Sequence, residues 1–218
     1  MNKYQNAKVH TEGPFDGKVF QCVGINKNEI EVLNGKESVT GEFFNGLGTG
    51  VYIVDTDMHN NFPSFISKEE SNRGGRDRII QKFQSMYRSK IEINDDSPIY
   101  AVYAVIGKDT KIPIKVLMGM GDPKRGHQGD ISSFLLRVYV ETGSYIKIGI
   151  KQKDVEPSGI PQQDKKKLEN LVSKAMGITP EDVKAEELAK YVVQLIGGDN
   201  IIQGLKKYKY EKGLKMFG

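Results

Sequence analysis

Residues 131–151, ISSFLLRVYVETGSYIKIGIK, constrain the fold most, because two apolar runs meet there across a glycine-bearing turn. Read at a period of two, Phe134, Leu136, Val138 and Val140 share one face of a strand, and Ile146, Ile148 and Ile150 share one face of the next. Matching those faces across an antiparallel ladder leaves an odd loop of about three residues around Gly143. The expectation is a central β-hairpin with one apolar face. Its other face carries Leu135, Arg137, Tyr139 and Glu141.

The rest of the chain fits around that hairpin as an α+β protein. Residues 1–16 are polar and broken at Gly13-Pro14, the composition of an arm or edge segment. Short strands are expected over 18–25 and 29–33, with Asn34-Gly35 marking a tight turn after the second. Residues 36–50 carry Gly41, Gly46, Gly48 and Gly50, with Phe43 and Phe44 the large apolar groups, and read as a loop pinned by two aromatics. A strand over 51–55 follows, then a second long loop over 56–75. Ile79, Ile80, Phe83, Met86 and Tyr87 recur on one helical face and predict a helix over about 76–88. An acidic turn at 91–97 and strands at 99–106 and 112–118 complete an antiparallel β-rich body, a sheet or barrel spanning residues 1–152.

Beyond it, the two prolines and the glycine of residues 153–161 mark a linker. Leu168, Leu171, Val172, Ala175 and Met176 give a helix over 162–176 that stops at Gly177. Thr179-Pro180-Glu181-Asp182 reads as the start of a second helix, which ends at Gly197-Gly198, and Asp199 as the cap of a third. Residues 162–218 are thus expected to form a three-helix module with a basic tail.

Charge is distributed unevenly. The formal net charge is +4, and from residue 200 onward five lysines face one acid, Glu211, which accounts for all of it. The tail is basic; the protein as a whole is not. The single cysteine, Cys22, rules out an intrachain disulfide and suits a reducing compartment, where its expected place is as a small buried hydrophobe. No apolar span approaches the roughly 20 residues that cross a bilayer, and MNKYQNAKVH lacks the apolar core of a signal peptide. A cytoplasmic or particle-associated protein with no membrane partner is expected.

Several short patterns could carry chemistry. Asp55, Asp57 and His59 alternate, so an extended strand would present a carboxylate-carboxylate-imidazole set suited to a divalent metal. A strand end running into a polar turn has the same composition, and that reading is preferred because the sequence places no third acid. Gly46, Gly48 and Gly50 resemble half of a phosphate-cradling loop, but a strand follows them and no GK[ST] closes the motif. Arg73, Arg76 and Arg78 put three guanidiniums at a helix start, where they could grip phosphates. The tail interleaves Lys206, Lys207, Lys209 and Lys212 with Tyr208 and Tyr210, a combination that suits either single-stranded nucleic acid or a neighbouring subunit. His127, in a basic loop after Pro123, reads as a surface imidazole.

No catalytic residue, cofactor or metal site is assigned on these grounds. Two long connections, 34–50 and 56–75, exceed what compact domains leave unstructured, which favours loops ordered by neighbours. The leading expectation is therefore a non-enzymatic assembly subunit, of the kind found in a viral particle, that forms a homo-oligomer with other protein subunits. One alternative is a single-stranded nucleic-acid-binding protein using the arginine loop and the tail. A second is a metal-dependent phosphoryl-transfer enzyme using Asp55 and Asp57.

Overall fold

A computed structural model describes residues 7–57, 75–96 and 98–217. In chain order the strands are β1 (Lys8–Thr11), β2 (Ile30–Val32), β3 (Gly50–Asp55), β4 (Lys90–Asp96), β5 (Ile99–Val105) and β6 (Lys111–Met120). The helices are α1 (Pro14–Cys22), α2 (Lys36–Asn45), α3 (Gly75–Tyr87), α4 (Ile131–Thr142), α5 (Gln152–Val155), α6 (Pro161–Met176), α7 (Ala185–Ile196), α8 (Gly198–Lys207) and α9 (Tyr210–Leu214). The strands form one six-stranded sheet in the order β2-β1-β3-β6-β5-β4. β2, β1, β3 and β6 run parallel, and β5 and β4 add antiparallel at one edge. This α/β arrangement, followed by a helical C-terminal region, replaces the expected antiparallel body.

The parallel strands are short and apolar because helices cover both faces. In β3, Val51 and Ile53 enter a core shared with α1, α4, α6, α7 and α8, whereas Tyr52 and Val54 enter a second core shared with α2 and α3. A strand buried on both sides has no polar alternation to betray its orientation. β1 lies inside the sheet between β2 and β3, so residues 8–11 of the expected arm are a sheet strand; residues 1–6 lie outside the described residues.

The stretch 131–151 is the main correction. Residues 131–142 form α4, and Ser144–Ile148 a 3-10 turn. Every residue from Ile131 to Val140 is buried, and the polar positions at helical spacing, Ser133, Arg137 and Glu141, are too few to outweigh the alternation of Phe134, Leu136, Val138 and Val140, so the run fits either template. The ends carried the information instead. Asp130 caps the helix, its carboxylate accepting from the Ser133 backbone N–H at 3.0 Å, and Gly143 closes it in the left-handed region at φ 69°.

Three further segments differ from expectation. Residues 18–25 belong largely to α1, whose start is signalled by Pro14 in the first turn and Asp16 two residues on. Residues 36–45, the first part of the expected 36–50 loop, form α2, with Val39 and Phe43 fully buried, and the acidic 91–96 segment belongs to strand β4. Cys22 is exposed rather than buried. The expected strands at 51–55, 99–106 and 112–118 and the helices at 76–88 and 162–176 appear within a few residues of their predicted bounds.

One buried cation ties the second core together. Lys115, on β6, is fully buried and donates to the carbonyls of Glu42, Phe43 and Gly46 at 2.8, 2.8 and 2.6 Å. The Glu42 carbonyl already accepts the Gly46 N–H at 2.9 Å, but those of Phe43 and Gly46 lie at and just past the end of α2 beyond its last helical bond, so the lysine caps that helix from β6. The rings of Tyr52, Phe43 and Phe83 surround its ammonium at 5.0–6.0 Å, and burial pulls its pKa down to about 8. Lys115→Met keeps the stem but leaves the Phe43 and Gly46 carbonyls without this donor; it should destabilise the fold by about 2–3 kcal/mol in a denaturant titration. An unchanged midpoint would remove Lys115 from this role.

Candidate functional site

The sheet order places a switch point between β1 and β3. From β1 the chain passes through α1 to β2 on one side, and from β2 through α2 to β3 on the other, with α1 and α2 on opposite faces. In sheets of this kind a crevice opens just beyond the carboxyl ends of the two strands that flank the switch. Here the two ends are Glu12, one residue past β1, and Asp55, the last residue of β3.

Four carboxylates line the cavity at that place: Glu12, Asp16, Asp55 and Asp130. Glu12 is fixed by its neighbours, since Oε1 accepts the Asp55 backbone N–H at 2.7 Å and its carbonyl accepts from Gly35 at 2.8 Å. Asp16, in the first turn of α1, accepts the Gly13 N–H at 3.0 Å. Asp130 arrives from the other side of β3, on the loop after β6. That loop is stitched to the end of β3 by reciprocal backbone bonds between Asp57 and Gly129, at 2.8 and 2.6 Å. Gly129 has φ 102°, and a Cβ there would meet the Ser133 hydroxyl at 2.0 Å, so the approach requires glycine.

The loop and α4 are held from behind. Arg137, buried on α4, donates from Nε and Nη2 to the two oxygens of Asp122 at 2.9 and 3.0 Å, and also meets Glu156 at 2.6 Å. Asp164, fully buried on α6, accepts from the Ser133 hydroxyl at 2.7 Å and from Ser158 and Gly159 backbone N–H groups at 2.7 and 2.9 Å. Both buried acids are thus fully occupied with holding the frame.

Of the four cavity acids, Asp130 accepts from the Ser133 N–H and hydroxyl at 3.0 and 3.1 Å, whereas the other three have fewer donors. Burial, with repulsion from its carboxylate neighbours, pushes Asp55 well above the usual range, and among the described residues no donor or cation meets its carboxylate. Burial likewise raises Glu12 and Asp16 to about 7 and Asp130 to about 6. Partial relief comes from the fold: residues from the amino-terminal ends of α1, α2, α4 and α7 border the cavity, and each such end carries partial positive charge. Among the described residues no three acids or imidazoles already converge as metal ligands. The site is an acid-lined crevice rather than a closed cage.

The predicted site residues fall in several places. Asp55 faces the crevice, whereas Asp57, at φ 51°, leaves the strand path and pairs with Lys36 at 2.6 Å. His59 and Arg73 lie outside the described residues, as does the Arg76 side chain; Arg78 is exposed on α3. The 46–50 glycines precede β3 and so lie at the opposite end of the sheet from the crevice. In the tail, Lys207 meets Glu141 at 2.9 Å, Tyr208 also bonds Glu141, and Tyr210 is fully buried, its hydroxyl donating to Gly121. His127, predicted at the surface, stands 2.7 Å from the Tyr210 hydroxyl through Nδ1. Lys206, Lys209 and Lys212 are exposed. Glu12, Asp16 and Asp130 escaped sequence reasoning; each sits at a helix start, the signal that could have found them.

No protein-family model matches this chain, and neither curated proteins nor solved structures show significant similarity to it. No helix among the described residues is long and apolar enough to cross a membrane.

The raised acids make stability depend on pH with a definite sign. Between about pH 4 and 7 the folded crevice retains protons that the unfolded chain has released, so stability falls as pH rises through that window and the penalty is complete above it. His10, lowered by burial to about 4, and His127, lowered likewise, act in the opposite sense below 6.5. Comparing Asp55→Asn with the parent isolates the acids. The variant should be more stable at pH 8 without divalent cations, by on the order of 1 kcal/mol, with the gain shrinking toward pH 5. A variant less stable than the parent at pH 8 would contradict this electrostatic picture.

Proposed function

We propose that the crevice is the active site of a phosphoryl-transfer enzyme that works with a divalent cation. The observation that carries the reading is the group of four carboxylates at the switch point, with Asp55 meeting no donor or cation among the described residues. Natural folds do not keep buried like charges together without a compensating partner, and a divalent cation or a shared proton is the partner that fits. Magnesium and manganese are commonly held by one or two carboxylates plus water and substrate phosphate, so an open crevice without a preformed cage suits them. Such a cation supplies charge for the phosphoryl oxygens and lowers the pKa of bound water.

The chain's own residues then have distinct roles. Asp55 and Glu12 would hold the cation, being the two acids at the strand ends that flank the switch, with water and substrate oxygens completing its shell. Asp16 or Asp130, with carboxyls raised by burial to about 7 and about 6, would take the proton of the attacking water as its oxygen bonds to phosphorus; the P–O ester bond breaks, and the departing oxygen leaves with the bond's electron pair and takes a proton from solvent. Lys165, exposed on α6 at the rim of the crevice, is placed to meet phosphate charge.

Manganese titrated into the protein by calorimetry should bind at the crevice, and Asp55→Asn should weaken it at least about tenfold. A chromogenic phosphate ester should be cleaved only with the cation present, and at least about a hundredfold more slowly by the variant. Unchanged manganese affinity in Asp55→Asn would end the proposal.

A further inference from the structure

A second cavity opens at the other end of the sheet from the crevice. Its lining includes the start of two parallel strands: Val9 on β1 and Val51 on β3 are register partners, and both belong to the larger core. Ile202 and Leu205, one turn apart on α8, line it too, as do Leu214 at the end of α9 and Val23 and Ile25 on the turn after α1. Val9, Val51 and Leu205 are buried and the others only partly so, and the lining grades from core to surface. The cavity holds about 420 Å³, within the range of small-molecule sites.

Charged residues border the same cavity: Lys8, Lys206 and Lys215, with Glu29 and Glu211. Lys8 pairs with Glu31 at 3.0 Å and Lys215 pairs with Glu211, whereas Lys206 is exposed and meets no acid among the described residues. Glu29, exposed on the turn before β2, is likewise without a cation among the described residues, so a free charge of each sign stands at the cavity. The surrounding field decides between them: five lysines against one acid from residue 200 onward make the α8 and α9 side positive. We infer that this cavity binds a free single-chain aliphatic carboxylate, its tail against Val9, Val51 and Leu205 and its carboxylate at Lys206. Burial of the tail supplies the affinity, and the lysine selects the head group. The site is separate from the crevice and independent of the chemistry proposed there.

Calorimetry on the intact protein, with each ligand kept below the concentration at which it forms micelles, tests this. Decanoate should bind at least about tenfold more tightly than butyrate, which has the same head and little tail to bury. It should bind at least about fivefold more tightly than decyltrimethylammonium, which carries a tail of the same length under a cationic head. Lys206→Met should bring that second ratio below about twofold. Ile202→Trp, which fills the cavity, should weaken decanoate at least about tenfold, both variants being checked for folding by circular dichroism. Decanoate bound no more tightly than butyrate, a cation bound as well as the anion, or full decanoate affinity in folded Ile202→Trp each overturns the inference. Attachment to phosphatidylglycerol vesicles without binding of free decanoate also overturns it, because the partner would then be a lipid surface. Where Ile202→Trp does not fold, the tail and head-group comparisons on the parent protein decide the matter.

Discussion

Four carboxylates bordering one crevice, Asp130 buried and Glu12, Asp16 and Asp55 partly so, form the constraint around which this molecule is arranged. Isolated buried carboxylates shed their charge or find a partner, and the cost of keeping several together rises with each one added. The fold creates that situation because β1 and β3 run parallel: β1 ends two residues short of β3 in register, and Glu12, just past it, reaches the Asp55 backbone N–H at the end of β3. Helix starts then supply the other two, Asp16 on α1 and Asp130 at the head of α4. Everything behind the crevice serves to hold those ends in place: Arg137 with Asp122 and Glu156, Asp164 with Ser133 and Ser158, and the Asp57–Gly129 bridge.

The sequence disclosed elements whose local pattern was unambiguous. The helix at 75–87 has one apolar stripe, and β5 and β6 lie at the antiparallel side of the sheet between clear turns. It misled where burial was complete. α4 is buried on nearly all sides, with Ser133 and Arg137 inside the fold, so its period of 3.6 was not told from an alternation of two, and Asp130 and Gly143 marked its ends. β1 offers just four residues, KVHT, of which a histidine and a threonine are buried, so its composition looked like that of an arm. His10 is accommodated there by stacking on Tyr52 at 4.3 Å, a tertiary contact that no local pattern announces.

Missing β1 concealed the site as well. Without that strand, Glu12 and Asp16 were residues of a polar leader, and Asp55 had only Asp57 and His59 for company. Parallel topology is a long-range property, and acids separated by more than forty residues meet only once the strand order is known. The same error made the 36–50 segment look like a loop in need of outside support. It is instead a helix closed by Lys115, folded on its own chain. The loop economy that favoured an assembly subunit therefore rests on the 56–75 segment alone, most of which lies outside the described residues.

The most direct test is the location of a bound cation. In crystals grown with manganese, anomalous scattering is predicted to show a peak within roughly 2–2.5 Å of an Asp55 carboxylate oxygen, at the carboxyl ends of β1 and β3. A crevice in which Asp55 is neutralised by a lysine or arginine, with manganese absent or bound elsewhere, would contradict the account.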